Sequence, residues 1–104
     1  MYQLEFLPIA KQDMDEIAIY IAQKLRNFTA AKKLVNEIIN ATERLIDFPY
    51  MYSVYRTIRA VENEHRKLIV KNYIVFYSVN EEDKKIVITR VIYARHNFEK
   101  ITIS

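Results

Sequence analysis

The 104-residue sequence contains neither cysteine nor glycine. Without cysteine there is no disulfide, thiolate zinc site or cysteine nucleophile, and the composition suits a reducing cytoplasm. Without glycine there is no glycine-rich phosphate-binding loop, and left-handed turn positions are expected to fall on asparagine or aspartate. No apolar run approaches the roughly 20 residues that span a bilayer, and no basic segment precedes an apolar stretch at the N-terminus. We therefore expect a cytoplasmic protein with no secretory signal and no membrane association.

The residues that are present have the composition of a folded protein. Hydrophobic residues make up 51% of the chain and charged residues 28%, which predicts a single domain over residues 1–104 with one core. The net charge is +3. Through Tyr55 there are six basic and seven acidic residues, whereas from Arg56 onward there are ten and six, so the basic surplus lies in the second half. This distribution favours an acidic partner such as nucleic acid over a merely solvated basic surface.

The hydrophobic patterns predict one strand, two helices and three further strands. YQLEFL (2–7) alternates as a short strand, and Pro8 suits the first turn of a helix whose apolar residues recur at spacings of three to five. A break at 26–28 precedes a second helix, with Thr29 as its expected N-cap, which ends before Pro49. The last three strands are HRKLIVK, YIVFYSV (73–79) and KIVITRVIYA (85–94). They are joined by Asn72 and by a charged hairpin turn.

This order of elements predicts an α+β fold, β-α-α-β-β-β. In such a fold a helical hairpin packs on one face of a small antiparallel sheet. The other face of the sheet would be open to a partner. The tyrosine-rich stretch PYMYSVYR and the polar residues from 57 to 65 give no clear assignment.

Metal and nucleophilic chemistry find little support in the sequence. His65 and His96 are the only histidines, and no acidic residue lies at a spacing that would complete a metal site. Asp13, Asp15 and Glu16 fit the solvated start of the first helix, where carboxylates interact favourably with the helix dipole. No serine has the surroundings of a catalytic nucleophile. We therefore expect neither a metal ion nor another cofactor.

Arg90 interrupts an apolar row on the last strand. Strand alternation predicts two faces: one with Ile86, Ile88, Arg90 and Ile92, the other with Val87, Thr89, Val91 and Tyr93. A charge in an apolar row is costly unless it is paired or reaches water. Arg90 could therefore pair with a carboxylate such as Glu5, or it could be held rigidly on the strand to meet phosphate.

Other cations lie near the ends of the predicted strands. Arg66, Lys67 and Lys71 flank the apolar residues LIV, and Arg95 follows the last strand. If the strands pair as a meander, these side chains can converge with Arg90 near one side of the sheet. The five cations would there neutralise phosphate groups of a target.

Aromatic and titratable residues accompany these cations. Tyr73, Tyr93 or Phe98 could stack on a base, and His96 could transfer a proton near neutral pH. The alternative is that Phe98 packs on the core and that His96 is simply exposed. The sequence leaves both interpretations open.

Together, these segments resemble the RelE/ParE superfamily of bacterial toxins. The similarity lies in YQLEFLPIAKQDMDEIAIYIA, the helical hairpin and HRKLIVKNYIVFYSVNEEDKKIVITRVIYARHNF, whose order and spacing match the family over nearly the whole chain. The resemblance implies the toxin of a type II toxin–antitoxin module, which inhibits bacterial growth and is neutralised by a cognate antitoxin in a hetero-oligomer. It also implies one of two targets. ParE-like members poison DNA gyrase, and RelE-like members cut mRNA in the ribosomal A site.

The resemblance to RelE-like members is incomplete at the residues used for cleavage. Those members usually place an arginine where this chain has Ile74, and a tyrosine or a His-Tyr pair where it has Asn97 and Phe98. If the protein were an RNase, the remaining catalytic candidates would be Arg90, Arg95 and His96. The ending ARHNF and the long helical hairpin are more similar to ParE-like members. The resemblance therefore favours gyrase poisoning, with an mRNA endonuclease or a degenerate member that only binds its antitoxin as alternatives.

Overall fold

The computed structural model describes residues 1–52, 54–55 and 65–95. The strands are β1 (Gln3–Phe6), β2 (Val54–Tyr55), β3 (His65–Val70), β4 (Tyr73–Asn80) and β5 (Lys85–Tyr93). The helices are α1 (Pro8–Ile19), which continues as a π-helical turn over Tyr20–Lys24, and α2 (Phe28–Glu43), which ends in a 3-10 turn over Arg44–Ile46. His96, Asn97 and Phe98 lie outside the described residues, so the predictions made for them are not tested.

Local chemistry sets the limits of the helical hairpin. Pro8 occupies the first turn of α1, as predicted. The N-cap of α2 is Asn27, whose side-chain oxygen accepts a hydrogen bond from the backbone N–H of Ala30 at 3.0 Å, so the predicted cap at Thr29 was placed two residues too late. No acidic residue lies in the first turn of α1. The expectation that Asp13 belongs to a solvated helix start is therefore wrong.

The sheet has the order β1-β5-β4-β3-β2. The predicted antiparallel meander of β3, β4 and β5 is confirmed. β1, however, pairs in parallel with β5, from Gln3 opposite Lys85 to Phe6 opposite Ile88. The sheet is therefore mixed. A parallel pair needs a long connection between its strands, and the two helices that follow β1 are part of the connection between β1 and β5.

The helices cover one face of this sheet and form the core with it, which confirms the predicted α+β architecture. The helical side contributes Ala10, Met14, Ile21, Ala31, Leu34, Ile38, Ala41 and Leu45. The sheet contributes Leu68, Val70, Val75, Tyr77, Ile86, Ile88 and Val91. Tyr77 is fully buried, and its hydroxyl donates to the carbonyl of Pro49 at 3.0 Å, which attaches the segment after α2 to the sheet. No helix in the described part of the chain is both long and apolar enough to cross a bilayer.

A β-bulge in β5 changes the predicted faces of that strand. Tyr77 lies opposite Ile88 but Phe76 lies opposite Arg90, so Thr89 is an extra residue in the ladder. Ile88 therefore contributes to the core, and the next core residue is Val91. The predicted alternation was wrong beyond Ile88 because a pattern of strict period two does not contain the bulge.

The opposite face of the sheet is not an open surface. Strand alternation places Ile74, Phe76 and Ile92 on that face, and all three are buried. The expectation that the whole face is available to a partner is therefore wrong at the centre of the sheet. Ile69 on β3 is exposed.

Basic residues take the left-handed backbone positions of this glycine-free chain. Arg26, Lys71 and Lys84 have φ angles of 49°, 54° and 52°. The prediction that asparagine or aspartate would fill such positions was wrong for these three. Asn80 instead shapes the β4–β5 turn through its side chain, which accepts a hydrogen bond from the backbone N–H of Asp83 at 3.0 Å.

A polar cluster joins the N-terminus to the β4–β5 turn. The Glu81 carboxylate accepts hydrogen bonds from the hydroxyl of Tyr2, from that of Tyr50 at 2.5 Å and from the ammonium of Lys84 at 2.9 Å. These donors lower the pKa of Glu81 to about 2, the Tyr2 hydrogen bond contributing most. The hydrogen bond to the carboxylate likewise raises the pKa of Tyr50 to about 12. We call these four residues the Glu81 cluster.

Candidate functional site

A groove of about 840 Å³ lies between the helical hairpin and one end of the sheet. Its helical wall consists of Asp13, Glu16, Ile17, Tyr20, Ile21, Leu25, Ala30, Lys33, Leu34 and Glu37. Its sheet wall consists of Lys71, Asn72, Tyr73, Arg90, Val91, Ile92 and Tyr93. The sheet wall is formed where β3 ends, β4 begins and β5 ends, because these three strand termini lie at the same end of the sheet in an antiparallel meander. We refer to this feature as the groove.

Asp13 and Arg90 form an ion pair in the wall of the groove. The Nε and one terminal nitrogen of Arg90 donate to the two carboxylate oxygens of Asp13 at 2.7 and 2.9 Å. The backbone N–H of Val91 donates to the same carboxylate at 3.0 Å. The side chains of Asp13 and Arg90 are 8% and 17% exposed. Asp13 thus neutralises Arg90 and also binds the backbone of β5 just beyond Ile88, where the pairing with β1 ends.

The partner of Arg90 differs from the predicted one. Glu5 lies on β1 and approaches Lys85 at 3.5 Å instead. The hydrogen bonds from Arg90 to Asp13 raise the pKa of the guanidinium above its usual value, so Arg90 carries its positive charge in this ion pair. Of the two interpretations of Arg90, the structure supports the ion pair, but the partner is Asp13 and not Glu5.

Two further predicted cations lie at the same end of the sheet. The Lys71 ammonium lies 3.7 Å from the Glu37 carboxylate across the groove. The backbone N–H of Ala94 donates to the carbonyl of Asn72 at 2.7 Å, which places the exposed residue Arg95 beside the β3–β4 turn. Lys71 and Arg90 thus both line the groove, and Arg95 lies near the turn that carries Lys71.

Arg66 and Lys67 do not join this group. Arg66 lies opposite Tyr77 on β4, and its guanidinium donates to the carbonyl of Tyr52 at 2.7 Å. It also lies 5.0 Å from the centre of the Tyr50 ring. Lys67 precedes the core residue Leu68 on β3 and so, by strand alternation, belongs to the other face of the sheet. The structure thus places these two cations outside the groove, and their proposed role in target binding stays a prediction.

Tyr73 and Tyr93 line the sheet wall of the groove, and Tyr20 lines its helical wall. The rings of Tyr73 and Tyr93 have centroids 5.5 Å apart and an interplanar angle of 56°. Burial raises the pKa of Tyr73, and the neighbouring Tyr93 and Tyr20 raise it further. Tyr73 is thus protonated at neutral pH, and this part of the groove presents aromatic surface and hydroxyl groups.

Sequence reasoning missed Asp13 and Tyr20 as groove residues. A signal for Asp13 was present, because Ala10, Asp13 and Ile17 are spaced by three and four residues and so share one face of α1. A carboxylate in that apolar stripe requires a buried partner. Tyr20 lies on the π-helical turn, whose changed spacing cannot be inferred from a regular helical pattern.

The described residues of the groove offer apolar surface and paired charges. Within ranges 1–52, 54–55 and 65–95, no three His, Asp or Glu side chains are arranged to hold a metal ion. The cation of Arg90 is neutralised by Asp13, and that of Lys71 lies near Glu37. What remains is an apolar channel with tyrosines at one end and compensated charges along its walls, which suits a peptide segment.

The same fold occurs in solved toxin–antitoxin structures. The chain superposes on a protein of the chromosomal ParDE system from P. aeruginosa with a TM-score of 0.74 and 21% identity, covering 91% of this chain and 98% of that one. It superposes on a chain of the RelBE2 complex from Mycobacterium tuberculosis with a TM-score of 0.65 and 16% identity, covering 88% and 96%. For the archaeal RelE-RelB complex from Pyrococcus horikoshii OT3 the TM-score is 0.63 with 15% identity, covering 91% and 97%.

These structural similarities define the class of fold, which is that of the RelE/ParE superfamily. Residues 4–98 also match the family model described as the ParE toxin of the type II toxin–antitoxin system, parDE. Because this match spans most of the chain, the protein belongs to the ParE toxin family. No curated protein matches the sequence.

Proposed function

We propose that the protein is the toxin of a type II toxin–antitoxin module and that it inhibits growth by binding DNA gyrase and trapping its cleaved DNA complex. Membership of the ParE toxin family supports the toxin role. The observation that carries the choice of mechanism is the ion pair between Asp13 and Arg90. This ion pair occupies Arg90, one of the two arginines that are candidates for RNA cleavage.

Cleavage of RNA without a metal ion makes demands that this groove does not meet in its described residues. Such a reaction needs cations at the scissile phosphate and groups that can transfer protons near neutral pH. Arg90 is already bound to a carboxylate, and Ile74 is buried at the position where RelE-like members usually carry an arginine. The described groove residues include no histidine. These features support binding rather than cutting as the mode of action.

We also propose that a cognate antitoxin neutralises the protein by covering the groove. Leu25 and Phe28, at the tip of the helical hairpin, are 59% and 75% exposed. Exposed apolar side chains beside an apolar groove are typical of a surface that binds a partner. The related structures from M. tuberculosis and P. horikoshii are described as toxin–antitoxin and RelE-RelB complexes.

Two assays with purified protein test the mechanism. With DNA gyrase and relaxed plasmid, we expect stalled supercoiling and linear DNA. With programmed ribosomes, we expect intact mRNA. Cleavage of mRNA in the A site, with no effect on gyrase, would replace our mechanism by the RelE-like alternative. If growth stops in cells but neither assay responds, both mechanisms are excluded for this chain.

Variants at the edge of the groove test the surface itself. We expect Lys71→Ala combined with Arg95→Ala to reduce the gyrase effect and growth inhibition, since both cations lie at this end of the sheet. Lys11→Ala combined with Lys32→Ala is a matched control, because it also removes two positive charges, and both lysines are exposed on the helices and do not line the groove. A folded double variant as toxic as the control would show that the working surface lies elsewhere.

A further inference from the structure

The carboxylate of Asp13 accepts three hydrogen bonds, and two of them come from the one guanidinium in the wall of the groove. This geometry neutralises the positive charge of Arg90 and holds its guanidinium in one orientation, toward Asp13. A bidentate contact uses the same fork of donors that an arginine offers to a phosphate. While the contact with Asp13 is in place, that fork faces Asp13 and is occupied.

The remaining charges of the groove are also balanced. Asp13, Glu16 and Glu37 supply three negative charges, and Lys33, Lys71 and Arg90 supply three positive charges. The described lining residues therefore do not form a basic groove, although the sequence after Tyr55 has a balance of +4. A polyanion entering it would have to displace Arg90 from Asp13 and would then lie beside the Asp13 carboxylate.

We propose that Asp13 is a specificity-determining residue that excludes phosphate-bearing ligands from the groove by neutralising Arg90, so that the groove accepts a protein segment. This inference rests on the proposed function, in which the partner is a protein. Asp13 acts through Arg90 and is a positioning residue. Removal of its charge should convert the groove into a site for nucleic acid.

The variant Asp13→Asn tests this role, with Glu16→Gln as its matched control. Each change removes one carboxylate from the groove and raises the net charge by one. Glu16, however, is exposed, and its carboxylate accepts a hydrogen bond from Gln12 at 3.3 Å. Binding of labelled single-stranded oligouridine RNA is measured over a range of salt concentrations. For D13N we expect one additional phosphate contact, which steepens the slope of log affinity against log salt by about 0.7. For E16Q we expect an unchanged slope.

Equal slopes for D13N and E16Q would overturn the proposal, because Asp13 would then act only through net charge. If D13N does not fold, the double variant D13N/R90Q still tests whether Arg90 is available to phosphate in the wild-type protein. It keeps the net charge of the wild type and removes both members of the pair. We expect its RNA affinity and salt slope to equal those of the wild type. A weaker affinity and a shallower slope would show that Arg90 contacts phosphate in the wild-type protein, which is the opposite of the proposal.

The outcome is separable from that of the proposed mechanism. RNA binding is measured without gyrase or ribosomes, so a failure of gyrase poisoning leaves the comparison of D13N with E16Q unaffected. Conversely, equal slopes for the two variants leave the gyrase result standing. Circular dichroism of each variant establishes that it is folded before binding is measured.

Discussion

The hydroxyl of Thr89 donates a hydrogen bond to the backbone carbonyl of Phe76, 3.1 Å away, across the bulge in β5. Thr89 is buried. Phe76, which accepts this hydrogen bond, is the residue of β4 that lies opposite both Thr89 and Arg90. The bulge determines which side chains follow it on each face. Its hydrogen bond therefore contributes to the position of Arg90 beside Asp13.

Replacement of Thr89 by valine should destabilise the protein. The change keeps the shape of the side chain but removes the buried donor, which costs about 1 kcal/mol of unfolding free energy. Thr29→Val is the control, because Thr29 is exposed on α2, and it should change stability by less than about 0.5 kcal/mol. Urea unfolding of both variants measures the difference. Equal stabilities would mean that the hydroxyl does not stabilise the bulge.

Replacement of Asp13 by alanine should destabilise the protein more strongly. It leaves the largely buried Arg90 without its carboxylate and removes the acceptor for the Val91 N–H. We expect a loss of about 3 kcal/mol, typical of breaking one side of a buried ion pair. Asp15→Ala, two residues away on the exposed side of α1, should cost less than about 0.5 kcal/mol. Thermal or urea unfolding distinguishes the two, and a similar small loss for both would contradict a buried role for Asp13.

Replacement of Arg26 by glycine should stabilise the protein relative to Arg26→Ala. Arg26 has a φ of 49°, a left-handed conformation in which a Cβ atom costs about 1 kcal/mol. Glycine removes that cost, whereas alanine removes the same charge but keeps the Cβ. The comparison of the two variants thus isolates the backbone effect from the loss of the exposed guanidinium. If R26G is no more stable than R26A, the backbone at this position is not strained.

The Glu81 cluster should make stability depend on acidic pH. The folded-state pKa of Glu81 is lowered to about 2 from an ordinary value of 4.5. A lowered pKa contributes stability that is present above pH 4.5 and is lost as pH falls through about 2. We therefore expect the unfolding free energy to fall across that window in the wild type and to fall less in Glu81→Gln. Glu82→Gln, at the adjacent position, is the control and should follow the wild type.

The sequence contained enough information for the two helices, β1 and the three long strands, but not for β2 or for all the pairings between strands. Helical and strand periodicities located the hairpin and the three long strands, because each depends on residues close in sequence. The parallel partner of β1 was missed, because pairing between Gln3 and Lys85 depends on contacts across almost the whole chain. The bulge at Thr89 was missed for a different reason, since one inserted residue leaves the composition of an apolar strand unchanged.

The candidate site was predictable only in part. Lys71 and Arg90 were named as functional candidates, and both line the groove. A carboxylate partner was one of the alternatives predicted for Arg90, but Asp13 was not identified as that partner, nor Glu37 as the neighbour of Lys71, because helix and sheet residues meet only in three dimensions. Asp13 could have been recognised by its place in the apolar stripe of α1. The position of Arg66 beside Tyr52 could not have been predicted, because the segment that carries Tyr52 has no regular hydrophobic pattern.

The place of β5 in the sheet has a consequence for how the protein is made. β5 lies between β1 and β4, although it is the last of the five strands to be synthesised. Until Lys85–Tyr93 has emerged, β1 lacks its only partner strand among the described residues, and Asp13 lacks Arg90. Such non-local pairing slows folding, and the sheet cannot be completed before β5 has been synthesised. The order of the strands therefore delays completion of the groove wall that contains Asp13 and Arg90 until β5 has been synthesised.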